Sequence, residues 1–338
     1  MRHYRLALLG FGNVGRALAK LFLYKQEELL HRYQLTFSVT GIATKTHGTA
    51  IDPRGLDLGR ALAVQDLACL SRQPVPRDPF DFIRRCGANV LFENTPVNYD
   101  TGQPAIDYLH AALETGMHVV TANKGPVVYG YHELSELAEI KSRRFYFEST
   151  VMDGTPIFSL FREALPGARL ISFRGILNST TNLILTQMEQ GQGFEDALAY
   201  CQKIGIAETD PCGDVDGWDA AIKVASLVTV LMDVPLKPNE VERKGIRGIG
   251  PEAIQQAKGD GKRWKLICQA QKVEGGVEAK VSPTLVGPDS PLFNASGTTS
   301  FLQFETDVLG LISIVEKDPG PQTTAYGLLA DFLNAVRT

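Results

Sequence analysis

The chain has 338 residues, 44% hydrophobic and 21% charged, with 34 basic residues against 38 acidic and a formal net charge of −4. That length allows about two domains and a large buried core, in the composition range of ordinary globular proteins. Charges of both signs are mixed without a basic run or an acidic tail, which speaks against nucleic-acid binding, and no apolar run reaches the ~18 residues of a membrane span.

In chain order, Tyr4–Leu9 reads as a short apolar strand. Gly10-Phe-Gly-Asn-Val-Gly15 follows at once, and Arg16–Leu30 then shows helical spacing of Leu18, Leu21, Phe22, Leu29 and Leu30. This is GxGxxG in the context it requires, with a strand before and a helix after. Gly10 permits the tight turn, Gly12 lets the backbone approach a pyrophosphate, and Gly15 lets helix and strand pack closely. Asn13 and Val14 lie inside the run, at the helix N-terminus, where unpaired N–H groups favour an anion.

The alternation continues. Leu35–Ala43 reads as the second strand, Ala88–Glu93 as another, followed by Asn94, Thr95 and Pro96. Ala105–Thr115 is helical, Met117–Ala122 is a strand ending in Asn123 and Lys124, Tyr131–Lys141 is helical and Arg144–Glu148 is a strand. Strands alternating with helices predict a doubly wound parallel sheet whose ligands bind beyond the carboxyl ends of the strands. Thr95, Pro96, Asn123 and Lys124 all fall at such ends. After the second strand, Ala43-Thr-Lys-Thr-His47 carries no acid for a ribose 2′-hydroxyl, while Lys45 suits a 2′-phosphate, so the expected cofactor is NADP in preference to NAD.

After Glu148 the pattern changes. Thr150–Pro156 is a turn cluster, Leu170–Leu177 is strand-like, and Asn178-Ser-Thr-Thr-Asn182 is a run of small hydrogen-bonding residues. Helices are expected at Leu183–Glu189 and Phe194–Ile204, with Gly205 as the C′ residue of the second. The loop that follows holds Glu208, Asp210, Asp214 and Asp216 and feeds an apolar helix over Gly217–Met232. Asp219 and Lys223 share one face of that helix. An acid-lined loop beside a lysine suits a pocket that binds an ammonium and moves a proton, although on the spacing alone a helix-surface i,i+4 pair is the commoner arrangement. Strand-like runs return over Val277–Val315, and Thr323–Val336 is a final helix with Ala325, Leu328, Leu329 and Phe332 inward. The five cysteines are scattered without CxxC or zinc spacing, and the N-terminus runs straight into a strand pattern. Together these point to a cytoplasmic chain with reduced thiols.

The motif Gly205-Ile-Ala-Glu-x-Asp-Pro-x-x-Asp-Val-x-Gly-x-Asp-x-x-x-Lys223 resembles the signature of the homoserine dehydrogenase family. The resemblance extends in order over Thr121–Pro126, Glu148–Val151, Gly175–Asn182, Phe304–Asp307 and Thr324–Asp331. It implies a reversible NAD(P)-dependent interconversion of L-homoserine and L-aspartate 4-semialdehyde. It also implies a Rossmann domain over 1–149 completed by 316–338, and a mixed-sheet α+β catalytic and dimerisation domain over 150–315. A homodimer is what such a family leads one to expect, and no ACT-type regulatory domain or fused aspartate kinase is expected in this chain.

The resemblance assigns Lys223 the acid/base role, with Lys124 as a second lysine near the nicotinamide. Glu208 and Asp219 become ligands of the substrate's ammonium or hydroxyl, Asp214 the preferred third acid and Thr180 a substrate contact. Asp216, and on the residues alone Asp214 too, also fit a plain cap for the helix starting near Gly217. Gly205 and Gly320 match positions close to the cofactor, although Asp318-Pro-Gly-Pro-Gln322 is less glycine-rich than the family pattern. Glu148, Val151, Asp153 and Thr155 match a turn whose backbone carbonyls hold Na+ or K+ in some members; the plain reading is a structural turn. The competing expectations are another amino-acid or semialdehyde dehydrogenase of the same layout, and a non-catalytic NAD(P) sensor.

Overall fold

Strand β1, Arg2–Leu9, ends in four buried residues, Leu6 to Leu9, and is followed by the glycine loop and by helix α1, Asn13–Tyr33. The chain then forms β2 (Leu35–Ala43), β3 (Thr49–Ile51), α2 (Leu58–Ala63), α3 (Pro79–Arg85) and β4 (Val90–Glu93). After these come α4 (Ala105–Glu114), β5 (His118–Thr121), α5 (Lys124–Tyr129), α6 (Tyr131–Ile140) and β6 (Phe145–Tyr146). The strands make a sheet of order β3-β2-β1-β4-β5-β6, parallel except that β3 folds back against β2. Fully buried strands such as Val-Leu-Phe-Glu in β4 are what two covered faces require. The strand order reverses between β1 and β4, and in such sheets the crevice at the reversal receives the ligand.

The C-terminal helix, Pro321–Ala335, packs beside α1. Its inner residues Ala325, Leu328, Leu329 and Phe332 are buried, with the Phe332 ring edge-on to Phe22 and Phe92 at centroid distances of 5.8 and 6.1 Å.

The remaining residues form β7 (Leu170–Ile176), α7 (Ser179–Glu189), α8 (Phe194–Lys203), α9 (Cys212–Val215), α10 (Trp218–Leu231), β8 (Glu242–Arg243) and α11 (Pro251–Gly259). Then follow β9 (Arg263–Val273), β10 (Gly276–Val286), β11 (Ser300–Thr306) and β12 (Gly310–Glu316). This sheet has the order β12-β11-β7-β9-β10-β8 and is mixed: every pairing is antiparallel except β8 with β10. Helices α7, α10 and α11 pack against β9.

Several elements depart from the sequence expectation. β9 was not anticipated, because Lys265, Gln269 and Gln271 on one face break up its apolar run; the face is legible only once β7 and β10 flank it. Helix α7 starts at Ser179, four residues before the expected Leu183, because the Asn178 side chain accepts the Thr181 N–H at 2.8 Å and caps it. The strand expected over Arg144–Glu148 shrinks to Phe145–Tyr146. A 3₁₀ turn, Glu148–Thr150, follows, its first N–H taken by the Asp331 carboxylate at 2.7 Å.

In the computed structural model, which describes residues 1–337, the chain divides into two units, Met1–Pro156 with the segment from Gly320 onward, and Ile157–Pro319. The first division falls seven residues beyond the expected 149/150. The turn after Glu148 belongs with the C-terminal helix: Ser149 Oγ donates to the Thr324 carbonyl at 2.7 Å, and Thr323 Oγ1 to Asp153 Oδ2 at 2.9 Å.

Candidate active site

The glycine loop is built so tightly that only glycine fits at two of its positions. Gly10 has φ +100°, and a Cβ there would lie 2.4 Å from the Asn94 carbonyl oxygen. A Cβ on Gly15 would lie 2.5 Å from the Gly10 carbonyl. Gly12 is the opposite case: a Cβ would meet nothing within 4 Å, so its backbone faces open space at the start of α1. Asn13 and Val14 follow in the first turn of α1, and Gly12 is its N-cap with no side chain to bond the free N–H groups. An open backbone cradle with unpaired donors at a helix N-terminus fits a pyrophosphate.

The ends of β4 and β5 are tied to one buried acid that sequence reasoning did not single out. Glu93 is fully buried and accepts from Thr95 N at 2.8 Å, from the Thr95 hydroxyl, and from Thr121 Oγ1 at 2.7 Å. Burial pushes its carboxyl above the ordinary range against the pull of these bonds. Asn123 donates to the Thr95 and Pro96 carbonyls at 3.2 and 3.4 Å and caps α5 by accepting from Gly125 N at 3.0 Å. Lys124 is the first residue of that helix. The structure therefore groups Thr95, Pro96, Asn123 and Lys124 at neighbouring strand ends. Asn94, between Glu93 and Thr95, is a second missed residue: both its amide nitrogen and its amide oxygen are buried without a hydrogen-bond partner among the described residues. Its backbone lies beside Gly10 at the sheet's switch point, and its amide brings two N–H donors and an acceptor oxygen there. The only signal in the sequence was its place directly after a strand.

Lys45 is exposed at the tip of the β2–β3 hairpin. Spatially an acid does approach this turn: the Asp66 carboxylate occupies the place a Cβ on Gly48 would take, while accepting Ala68 N at 2.9 Å. Gly320 is extended, with φ 177°, and its N–H and carbonyl are both engaged by Thr323 Oγ1 at the start of the C-terminal helix. In the turn holding Glu148, Val151, Asp153 and Thr155, Met152 and Asp153 are left-handed, with φ 51° and 49°. The Asp153 carboxylate is held by Thr323, as described above.

In the second unit the signature residues converge. Lys223, on α10, holds Asp219 one turn earlier at 2.8 Å and donates to the Leu177 carbonyl, beyond β7, at 2.7 Å. Both side chains are largely buried, 16% and 12% exposed. Asn178 spans two acids, its Nδ2 donating to Asp214 Oδ1 at 2.6 Å and Asp219 Oδ2 at 3.0 Å. Burial and the neighbouring Asp219 charge raise the Asp214 carboxyl above the ordinary range, with hydrogen bonds from Asn178 and Thr180 and the Lys223 charge opposing. Thr180, buried on α7, also donates to the Ile206 carbonyl at 3.3 Å. Two carboxylates, Asp219 buried and Asp214 half-buried, against one lysine leave the site short of one positive charge.

Asn178 was noticed only as part of a polar run; its double role as cap and bridge depends on three separated segments meeting. Glu208 is not gathered into this cluster. It is exposed, and its carbonyl rather than its carboxylate is engaged, by Gln202 at 3.1 Å. Gly205 is the left-handed C′ residue of α8, with φ 77°. The helix-cap reading of Asp216 and Asp214 is corrected: α10 is capped by Gly217 in the left-handed region with no side-chain bond, and Asp216 instead pairs with Arg247 at 2.6 Å.

Comparison with known proteins gives a consistent set of relatives. The family model described as "Homoserine dehydrogenase, NAD binding domain" matches residues 10–148, and "Homoserine dehydrogenase" matches 156–333. An NAD(+)-dependent homoserine dehydrogenase of Pseudomonas canavaninivorans is 37% identical over 340 residues, covering 99% of this chain and 96% of the relative. A homoserine dehydrogenase of Methanocaldococcus jannaschii is 38% identical over 334 residues, covering 97% of each. Among solved structures, that of a homoserine dehydrogenase from Thiobacillus denitrificans superposes with a TM-score of 0.84 at 29% identity, over 99% of this chain and 73% of that one. A hyperthermophilic archaeal homoserine dehydrogenase mutant in complex with NADPH gives a TM-score of 0.83 at 29% identity, over 99% and 98%.

Proposed function

We infer, on the premise that the chain belongs to the homoserine dehydrogenase family, that Lys223 moves the proton in its interconversion of L-homoserine and L-aspartate 4-semialdehyde. The chain is an NAD(P)-dependent oxidoreductase, and its first unit binds the nicotinamide cofactor. When bound, the cofactor supplies the hydride for the aldehyde carbon or accepts it from the alcohol.

The observation that carries this reading is the bracing of Lys223 by Asp219 and the Leu177 carbonyl. An ammonium has three N–H donors. Two are engaged in this way and the third is left for the substrate oxygen. In the reducing direction that N–H donates its proton as the carbonyl oxygen becomes a hydroxyl; in the oxidising direction the neutral amine takes the hydroxyl proton. Asp219 orients the lysine. Asp214 receives the substrate ammonium, which supplies the positive charge the buried cluster lacks. Thr180 lines the same place, Glu208 is the further acid assigned to the ammonium, and Lys124, beyond the end of β5, is the lysine assigned to the nicotinamide end.

Gly10, Gly12 and Gly15, with Asn13 and Val14, form the pyrophosphate cradle; Thr95, Pro96, Asn123 and the unpartnered amide of Asn94 flank the switch point. Lys45 supports NADP as the preferred cofactor. The Asp66 carboxylate beside the same turn supports the second reading, NAD, by offering an acceptor to a ribose hydroxyl. The same family premise makes the chain a homodimer through the second unit's sheet.

Lys223→Ala is expected to lower kcat by roughly 10²- to 10⁴-fold, the usual size of a general acid/base contribution. Cofactor affinity, measured by fluorescence titration, should be little changed. Turnover of aspartate semialdehyde at a near-normal rate in this variant would remove Lys223 from the role.

A further inference from the structure

A cavity with charged side chains in its lining lies wholly within the second unit, away from the Lys223 cluster. It has a volume of about 380 Å³, within the range of small-molecule sites, and is formed by the C-terminal end of α7, the turn from α11 into β9 and the 3₁₀ turn Pro291–Asn294. Three cationic side chains line it, Lys258, Lys262 and Arg263, against one carboxylate, Glu189. Arg263 is fixed in place: its guanidinium lies 4.6 Å from the Phe293 ring centroid, and its Nε is 3.7 Å from Glu189 Oε2.

The other Glu189 oxygen, Oε1, is buried and has no hydrogen-bond partner among the described residues. The nearby buried lysine forms no ion pair with it: Lys265 Nζ is turned to Asn182 Oδ1 at 3.1 Å and to the Ala295 carbonyl at 2.6 Å. A buried carboxylate oxygen without a donor leaves the Glu189 charge under-compensated, which a cation brought against the cavity-facing side of the carboxylate would offset.

We propose that this cavity binds a dicarboxylic α-amino acid, with its ammonium on Glu189 and its two carboxylates on Arg263, Lys262 and Lys258. The charges decide the class. A simple anion would answer the cations but set added negative charge against the Glu189 carboxylate that lines the cavity. A neutral amino acid would answer Glu189 and one cation, leaving the surplus positive charge unmet. A ligand with one ammonium and two carboxylates meets both demands. Glu189 is the last residue of the 11-residue α7, whose N-cap is Asn178. At ~1.5 Å per residue the cavity stands roughly 15 Å along the helix from the acid/base cluster, so binding here needs none of the residues assigned to the reaction.

The test is isothermal titration of the full chain at low salt with L-glutamate, L-aspartate, glutarate and inorganic phosphate. At least one of the two amino acids is expected to bind with a dissociation constant below about 1 mM, at least tenfold tighter than glutarate or phosphate. Glu189→Gln should abolish that preference while leaving homoserine turnover unchanged. Lys262→Ala, at the exposed mouth, should weaken the amino acid without altering the melting temperature. The proposal is overturned if neither amino acid binds, if glutarate or phosphate binds as tightly, or if binding survives both substitutions, which would place it elsewhere.

Discussion

Asn178 shows how much one side chain can organise. Its oxygen caps α7 and its nitrogen joins Asp214 to Asp219, so the helix start and the acid pair are fixed by a single amide. Lys45 is the contrasting case, an exposed residue whose value depends on what binds. If it meets a 2′-phosphate, that charge-assisted contact is worth about 1.5–3 kcal/mol less solvent screening. Lys45→Ala should then raise KM for NADPH by roughly tenfold and leave KM for NADH alone. Steady-state assays with both cofactors decide it, since preference for NADH with no response to Lys45→Ala would favour the Asp66 reading.

At the scale of the element, β5 carries a pH-sensitive joint. His118, its first residue, accepts the Arg144 N–H through Nδ1 at 3.1 Å, which a protonated ring could not do. Burial first, then the charges of Arg143 and Arg144, push its pKa from 6.5 down to about 4. The unfolded chain therefore takes up a proton between those values that the folded chain refuses. The stability this group provides is complete above about pH 6.5 and is lost as pH falls towards 4. For a half-buried ring the loss is about 1–2 kcal/mol, or a few degrees in a protein of this size. His118→Asn keeps an acceptor without a titration, so melting curves at pH 7 and 4.5 should show a smaller difference for the variant than for the parent. An equal difference would mean that other groups carry the acid sensitivity.

At the scale of the molecule, the second unit leaves apolar surface uncovered. Val308, Leu309, Leu311 and Val315, on and between β11 and β12, are 68%, 57%, 66% and 50% exposed. A cluster of that kind marks an interaction surface more often than an isolated exposed leucine does. If the homodimer uses it, Leu311→Asp with Val315→Asp should shift the mass measured by light scattering at micromolar concentration from dimer to monomer. A variant that stays dimeric would move the interface elsewhere.

The order of strands and helices in the first unit, the glycine loop and the Asp219–Lys223 pair were legible in the chain because each depends on neighbours in sequence: a turn that tolerates only glycine, a period of 3.6, an i,i+4 spacing. The family signature likewise lies within 19 consecutive residues. What the chain alone did not show depends on residues far apart in it. β9 emerges only between β7 and β10. Glu93 gains its meaning from Thr121, 28 residues on, and Asp66 approaches a turn centred some 20 residues earlier. Asp214 is distinguished from Asp216 by Asn178 on one side and Arg247 on the other. Local backbone preference and periodicity are written residue by residue, whereas burial, charge pairing and hydrogen-bond satisfaction belong to groups that only folding brings together.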